Sequence, residues 1–181
     1  MLALALTDDI ELRDLQPWQG DVFAAHIEAN RAHLTPWLPW VESIVDTSSA
    51  TAWLQNYADK QARDAGRIFG IWRGDELLGS VLFRTFDAAT GICEVGCWLG
   101  TGAQGKGLMT KAAQTLIDWA FRVRGMTRVH WQTMPENVRS IAVAKRLGMT
   151  EEGVLRKASV YNGVHYDCVV LSILAEEWAK G

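Results

Sequence analysis

A mixed α/β layer fold is what this sequence predicts, and three observations predict it. Strand-like stretches, RIFGIWR (67–73), ELLGSVLFRTF (76–86) and ICEVGCWL (92–99), are set among runs of helical period. Helix and strand signals go on alternating after Gly107. The chain then closes on two strand-like runs around Asn162-Gly163, a strong hairpin signal. At 181 residues with 49% apolar content the chain can bury a sizeable core, and no repeat, low-complexity run or linker divides it. One domain over 1–181 is expected.

In order, residues 10–13 (IELR) alternate like a strand, and 17–33 read as a helix opened by Pro17. The proline-punctuated TPWLPW follows. A helix from Thr47 to about Asp64 comes next, with Asp46 or Thr47 as its cap. The first two strands named above meet at Gly74-Asp75. After ICEVGCWL comes the long helix beyond Gly107, then the strand RVHWQTM (128–134). A helix opened by Glu136 or Asn137 runs to Gly148, a good residue for a helix end. VLRKASVY and HYDCVVLSIL form the last hairpin.

Net charge is −3 and the isoelectric point about 5.8. Nothing in that balance suggests the concentrated basic surface of sequence-independent nucleic-acid binding. MLALALTDDIEL has no basic lead and no long apolar core, so it reads as neither a signal peptide nor a membrane span. Three cysteines are too few for a disulfide framework. Cys93 and Cys97 lie in one strand with no histidine spaced to join them, so they read as buried thiols rather than metal ligands. A reducing cytoplasm fits, and no metal is expected.

QGKGLM (104–109) sits where a strand stops and a helix starts. It lacks the Lys-Ser/Thr pair of a GxxxxGK[ST] phosphate loop and fits GxGxxG only loosely. Glycines permit a tight turn, and the free N–H groups that open the following helix can face an anion. A plain turn before a helix is the alternative.

The order of elements, with Gln104-Gly105-Lys106-Gly107 opening a helix, resembles the acetyl-CoA loop of the GCN5-related N-acetyltransferase (GNAT) superfamily. Asn137-Val-Arg-Ser140, followed by KRLGM and EEGVLRK, resembles that fold's second motif. NRAHLTPWLPW (30–40) and VGCWL before the loop resemble the RimJ/RimL branch, which acetylates protein N-terminal α-amines. The resemblance runs from about residue 10 to 174. It implies a mixed, mostly antiparallel sheet with flanking helices and a parallel pair splayed to admit the thioester. It implies a single acetyl-CoA-binding enzyme domain, often a dimer.

Under this resemblance the N–H groups of Gly105, Gly107 and Met109 cradle the pyrophosphate, with the Thr110 hydroxyl as an extra donor. The amide arm pairs with the CEVGCWL strand, and Trp98 and Leu99 stand at its mouth. Gln104, Lys106 and Asn137 complete the cofactor set. Met109 takes a motif position where the wider family prefers Gly or Ala, which suffices if only its N–H is used. Arg146 occupies a basic position that meets either CoA phosphate or solvent.

The family's reaction is direct attack of an amine on the thioester. The common acid, a tyrosine seven residues after the motif asparagine, is replaced by Ala144. The branch instead uses a serine three after it, here Ser140, whose other reading is a first-turn cap. The branch's glutamate before the last hairpin turn is replaced by Ser159. Glu94, sharing a strand face with Gly96 and Trp98, is the substitute base; a solvent-facing Glu94 and a water chain are the alternatives. An α-amine of pKa about 7.7–8.0 needs only a weak base. Trp37 and Trp40 are either core or lining of the acceptor cleft. Arg31 and His33 read as surface residues, and His165 as a possible border of the cleft.

The acceptor is expected to be a peptide N-terminus or else a small amine such as an aminoacyl compound, polyamine or antibiotic. A non-catalytic acyl-CoA-binding regulator is the competing class.

Overall fold

Eight strands form one sheet in the order β1-β2-β3-β4-β5-β6-β8-β7 in the computed structural model, which describes residues 3–179. The expected span 1–181 therefore includes four terminal residues, 1–2 and 180–181, outside the described residues. The strands are β1 (Ala3–Ala5), β2 (Glu11–Asp14), β3 (Arg67–Arg73), β4 (Glu76–Asp87), β5 (Ile92–Leu99), β6 (Arg128–Thr133), β7 (Thr150–Tyr161) and β8 (Val164–Leu174). The helices are α1 (Gly20–Leu34), α2 (Thr47–Ala62), α3 (Leu108–Arg122), α4 (Val138–Arg146) and a short α5 (Ala175–Trp178).

Every neighbouring pair is antiparallel except β5 and β6, which run parallel. Their pairing covers three rungs and ends at Glu94↔His130. Beyond that rung β5 continues to Leu99 on β4 alone, while β6 follows β8 to Thr133↔Val169. The expected splay in the sheet is this divergence.

Helices cover both faces. Leu108, Ala112, Leu116 and Ile117 of α3 and Ala144 of α4 pack with Val81, Val95, Val129 and Trp131 from the strands. On the opposite face Phe23, Ile27 and Leu34 of α1 and Leu54 of α2 pack with Leu77, Leu82 and Trp98. Alternation along β5 explains the division: Cys93 and Val95 face α3, and Trp98 faces α1 and α2.

Local chemistry sets most boundaries. Asp46 caps α2 by accepting from Ser49 N–H at 2.7 Å. Asn162 and Gly163, both at positive φ (+48° and +73°), make the tight turn between β7 and β8. Gly148 at φ +80° ends α4. Three expectations shift. Pro17–Gln19 form a 3₁₀ turn, so α1 starts only at Gly20. β7 begins four residues before VLRK, where Thr150 and Glu151 still pair with β8. β1 and α5, too short to give a periodic signal, went unforeseen.

Candidate active site

The loop after β5 is fixed from behind and open in front. Asn30 of α1 accepts from Thr101 N–H at 3.0 Å. A Cβ on Gly100 would meet Asn30 at 2.9 Å, so glycine stands there for space. Gly105 (φ +78°) and Gly107 (φ +71°) have open space around an added Cβ, so conformation alone demands glycine. Gly107 is the N-cap of α3 and brings no side chain to it. The first intrahelical bond is Lys111 N–H to Gly107 C=O, which leaves the N–H groups of Leu108, Met109 and Thr110 ahead of the ladder.

These groups border a cavity of about 930 Å³. Its walls are the β5 end (Cys97, Trp98, Leu99), the loop, the first turn of α4, and the chain around Trp37 at the end of α1. Gln104 spans the loop side: Arg139 Nη1 donates to its Oε1 at 2.8 Å, and its Nε2 lies 2.6 Å from His33 Nε2. Asn137 caps α4 by accepting from Ser140 N–H at 3.2 Å. Ser140 lines the cavity wall, and its hydroxyl oxygen accepts from the buried Trp131 indole N–H at 2.8 Å.

Glu94 lies on the other face of the sheet, at the last rung before the strands part. It is 7% exposed, so it does not face solvent. Arg84 Nη1 is 3.0 Å from Glu94 Oε1, close enough to pair but without hydrogen-bond alignment. The Arg84 stem reaches across the bare backbone of Gly96. His130 Nε2 stands 3.8 Å from the second carboxylate oxygen. Burial pulls the His130 pKa below its usual value, partly offset by Glu94. Burial also pushes Tyr57, packed on this side, up to about 12. The Cys93 and Cys97 thiols are likewise raised to about 12 by burial, which makes them poor nucleophiles.

Of the residues singled out from sequence, Trp37, Trp98, Leu99, Gln104, Gly105, Gly107, Met109, Thr110, Asn137 and Ser140 converge on the cavity. Lys106 and Trp40 do not line it. Trp40 sits among aromatic rings, 4.4 Å from Trp53 and 5.0 Å from Trp98 between centroids. His33 and Arg31 correct the surface reading. His33 lines the cavity, and Arg31 donates to the carbonyls of Val41 and Ile44, tying α1 to the TPWLPW segment. Arg146 also reaches the cavity, whereas His165 rests on the Lys157 carbonyl in the last hairpin. Arg139 and Trp131 escaped notice in the sequence. Arg139 lies inside the NxxS motif and its helical position could have flagged it; nothing local marks Trp131.

Residues 9–150 match the family model described as an acetyltransferase (GNAT) domain. YdaF of Bacillus subtilis (strain 168), provisionally named a ribosomal N-acetyltransferase, is 32% identical over 98% of each chain. The microcin C7 self-immunity acetyltransferase MccE, solved with acetyl-CoA and AMP, is 27% identical. It superposes with a TM-score of 0.87 over 93% of this chain and 94% of its own. RimL, a ribosomal L7/L12 α-N-protein acetyltransferase solved with coenzyme A, shares the fold at a TM-score of 0.88 and 22% identity. It covers 96% of this chain and 98% of its own. The chain belongs to the GNAT acetyltransferase family. It is an N-acetyltransferase.

Proposed function

We propose that this enzyme transfers the acetyl group of acetyl-CoA to a protein N-terminal α-amine of the ribosomal type, by direct attack within a ternary complex. The observation that carries the reading is Ser140 on the wall of a cavity that also holds an uncapped helix N-terminus and two left-handed glycines. The residues fit the cofactor: the open space over Gly105 and Gly107 leaves a backbone cradle, and the volume lies within the usual range of about 300–1,000 Å³ for ligand sites. The N–H groups of Gly105, Gly107 and Met109 hold the pyrophosphate, aided by Thr110 and by Gln104. The free edge of β5 beyond Glu94 pairs with the amide arm, with Trp98 and Leu99 at its end. The bound thioester supplies an acyl group already activated for attack by an amine.

Ser140 gives its proton to the departing sulfur. Glu94 takes the amine's proton from the opposite side of the splay, through water where the amine stands beyond its reach. An α-amine's modest pKa makes such a weak base sufficient, whereas a lysine side chain at about 10.4 would need far more. The provisional naming of YdaF as a ribosomal N-acetyltransferase supports this acceptor over a small amine. Kinship with acetyltransferases favours an enzyme over an acyl-CoA-binding regulator. Trp37 borders the acceptor. Trp40 shapes that side from within its aromatic cluster. Three free thiols and ribosomal-protein relatives support action in the cytoplasm. Homodimerisation belongs to the same proposal and is read by light scattering.

The test is thiol release from acetyl-CoA across a panel of N-terminal peptides and small amines, with wild type and Ser140→Ala. Peptides are expected to be turned over fastest. Ser140→Ala should lower kcat about ten- to a thousandfold with acetyl-CoA affinity nearly unchanged. Preference for a small amine would overturn the acceptor. A loss of affinity with kcat intact would make Ser140 a cap.

A further inference from the structure

We propose that Trp131 is a positioning residue for the Ser140 hydroxyl, fixing where its proton points and stabilising the oxygen as that proton leaves. The inference rests on the Ser140 reading above and adds a group from the core beneath it.

Trp131 is the first residue of β6 past the last rung shared with β5, so its backbone lies where the strands part. It is 2% exposed and packed among the residues between the sheet and α3–α4. From there its Nε1–H reaches Ser140 Oγ at 2.8 Å. An indole nitrogen only donates, so the direction of this bond is certain: Ser140 Oγ accepts. A serine inside a helix can turn its hydroxyl back on a carbonyl of the preceding turn, but Ser140 lies in the first turn of α4, which has none before it. Here the indole occupies a lone pair instead. Among the described residues the hydroxyl hydrogen meets no acceptor, and Ser140 borders the cavity. The O–H is thereby left to point where a departing sulfur would be.

The bond satisfies the buried indole N–H, and it also acts on the acceptor. A donor aimed at Ser140 Oγ has a chemical consequence. Ser140 releases its proton to the sulfur as the C–S bond breaks and the C–N bond forms. Glu94 has taken the ammonium's proton before attack, and the Ser140 oxygen regains its own, by way of water, from the second proton of the nitrogen that the new bond has made acidic. While Oγ carries negative charge, the Trp131 bond becomes charge-assisted and shorter, so it stabilises the transition state more than the ground state.

The test replaces Trp131 with 3-benzothienylalanine, which keeps the ring shape and lacks the N–H, and separately with Phe, each with and without Ser140→Ala. The isostere should lower kcat by about tenfold, the scale of one charge-assisted hydrogen bond. KM for acetyl-CoA and the melting temperature should stay near wild type. In the Ser140→Ala background it should cost nothing further, because Trp131 acts through that oxygen. Wild-type kcat for the isostere, alongside a slowed Ser140→Ala, overturns the role of Trp131 and leaves Ser140 standing. Losses that multiply in the double variant make Trp131 merely structural and overturn it too. A fully active Ser140→Ala overturns both readings. Should Trp131→Phe fail to fold, the isostere alone decides.

Discussion

Replacing Gly107 separates a backbone cradle from a charge-based one. Gly107 sits at φ +71°, ψ 2°, with nothing within 4 Å of an added Cβ. Alanine there meets no clash and only the left-handed penalty of about 1–2 kcal/mol. For a chain of this length that is about 2–8 °C of melting temperature, taking about 2–4 °C per kcal/mol. If the free loop relaxes to avoid the strain, acetyl-CoA must restore it on binding. The affinity loss is then capped at the same energy, about five- to thirtyfold. Proline is different in kind, because its ring holds φ near −65° and it has no N–H. It cannot adopt the observed turn, so Gly107→Pro should abolish measurable binding. Lys106→Ala, outside the cavity lining, should change affinity by less than about threefold, the size of a weak exposed charge interaction. Calorimetric titration with acetyl-CoA reads all three. Wild-type affinity for Gly107→Pro, or a greater loss for Lys106→Ala than for Gly107→Ala, would refute the backbone cradle.

Glu94→Gln keeps size while removing the carboxylate, and an acceptor of pKa near 8 is mostly protonated at low pH. Activity should therefore fall most near pH 6.5 and partly recover by pH 9; parallel pH–rate profiles for variant and wild type would assign the proton to water instead. Glu152 is held down to about 2 chiefly by its hydrogen bonds from Arg128, then by Ser172. A carboxylate depressed in the folded state stabilises above its unfolded value, about 4.3, and loses that contribution as pH falls towards 2. Between those limits the melting temperature of wild type should drop more steeply than that of Glu152→Gln, by a small margin because the pair is partly exposed. Equal slopes would show that the pair contributes nothing.

What the sequence determined by itself is what local chemistry controls. Strand-like and helical patterning placed β3 and β5 to the residue and put the start of α3 just after Gly107. Asp46, Asn162-Gly163 and Gly148 marked ends because caps and left-handed turns admit few residue types. The glycine loop was legible for the same reason, since backbone that must adopt positive φ is written in glycine. Pairing across distance is not written that way. That β5 and β6 part after Glu94↔His130 depends on how α3 and the β6–β8 pair pack around them, not on a local signal. Strand alternation put Glu94 on the face of Trp98, but only the packed sheet brought Arg84 and His130 to it. Likewise Trp131 reads in the sequence as one more core aromatic. Its N–H finds Ser140 because the first turn of α4 comes down beside the splay, joining residues nine apart in the chain through tertiary geometry alone.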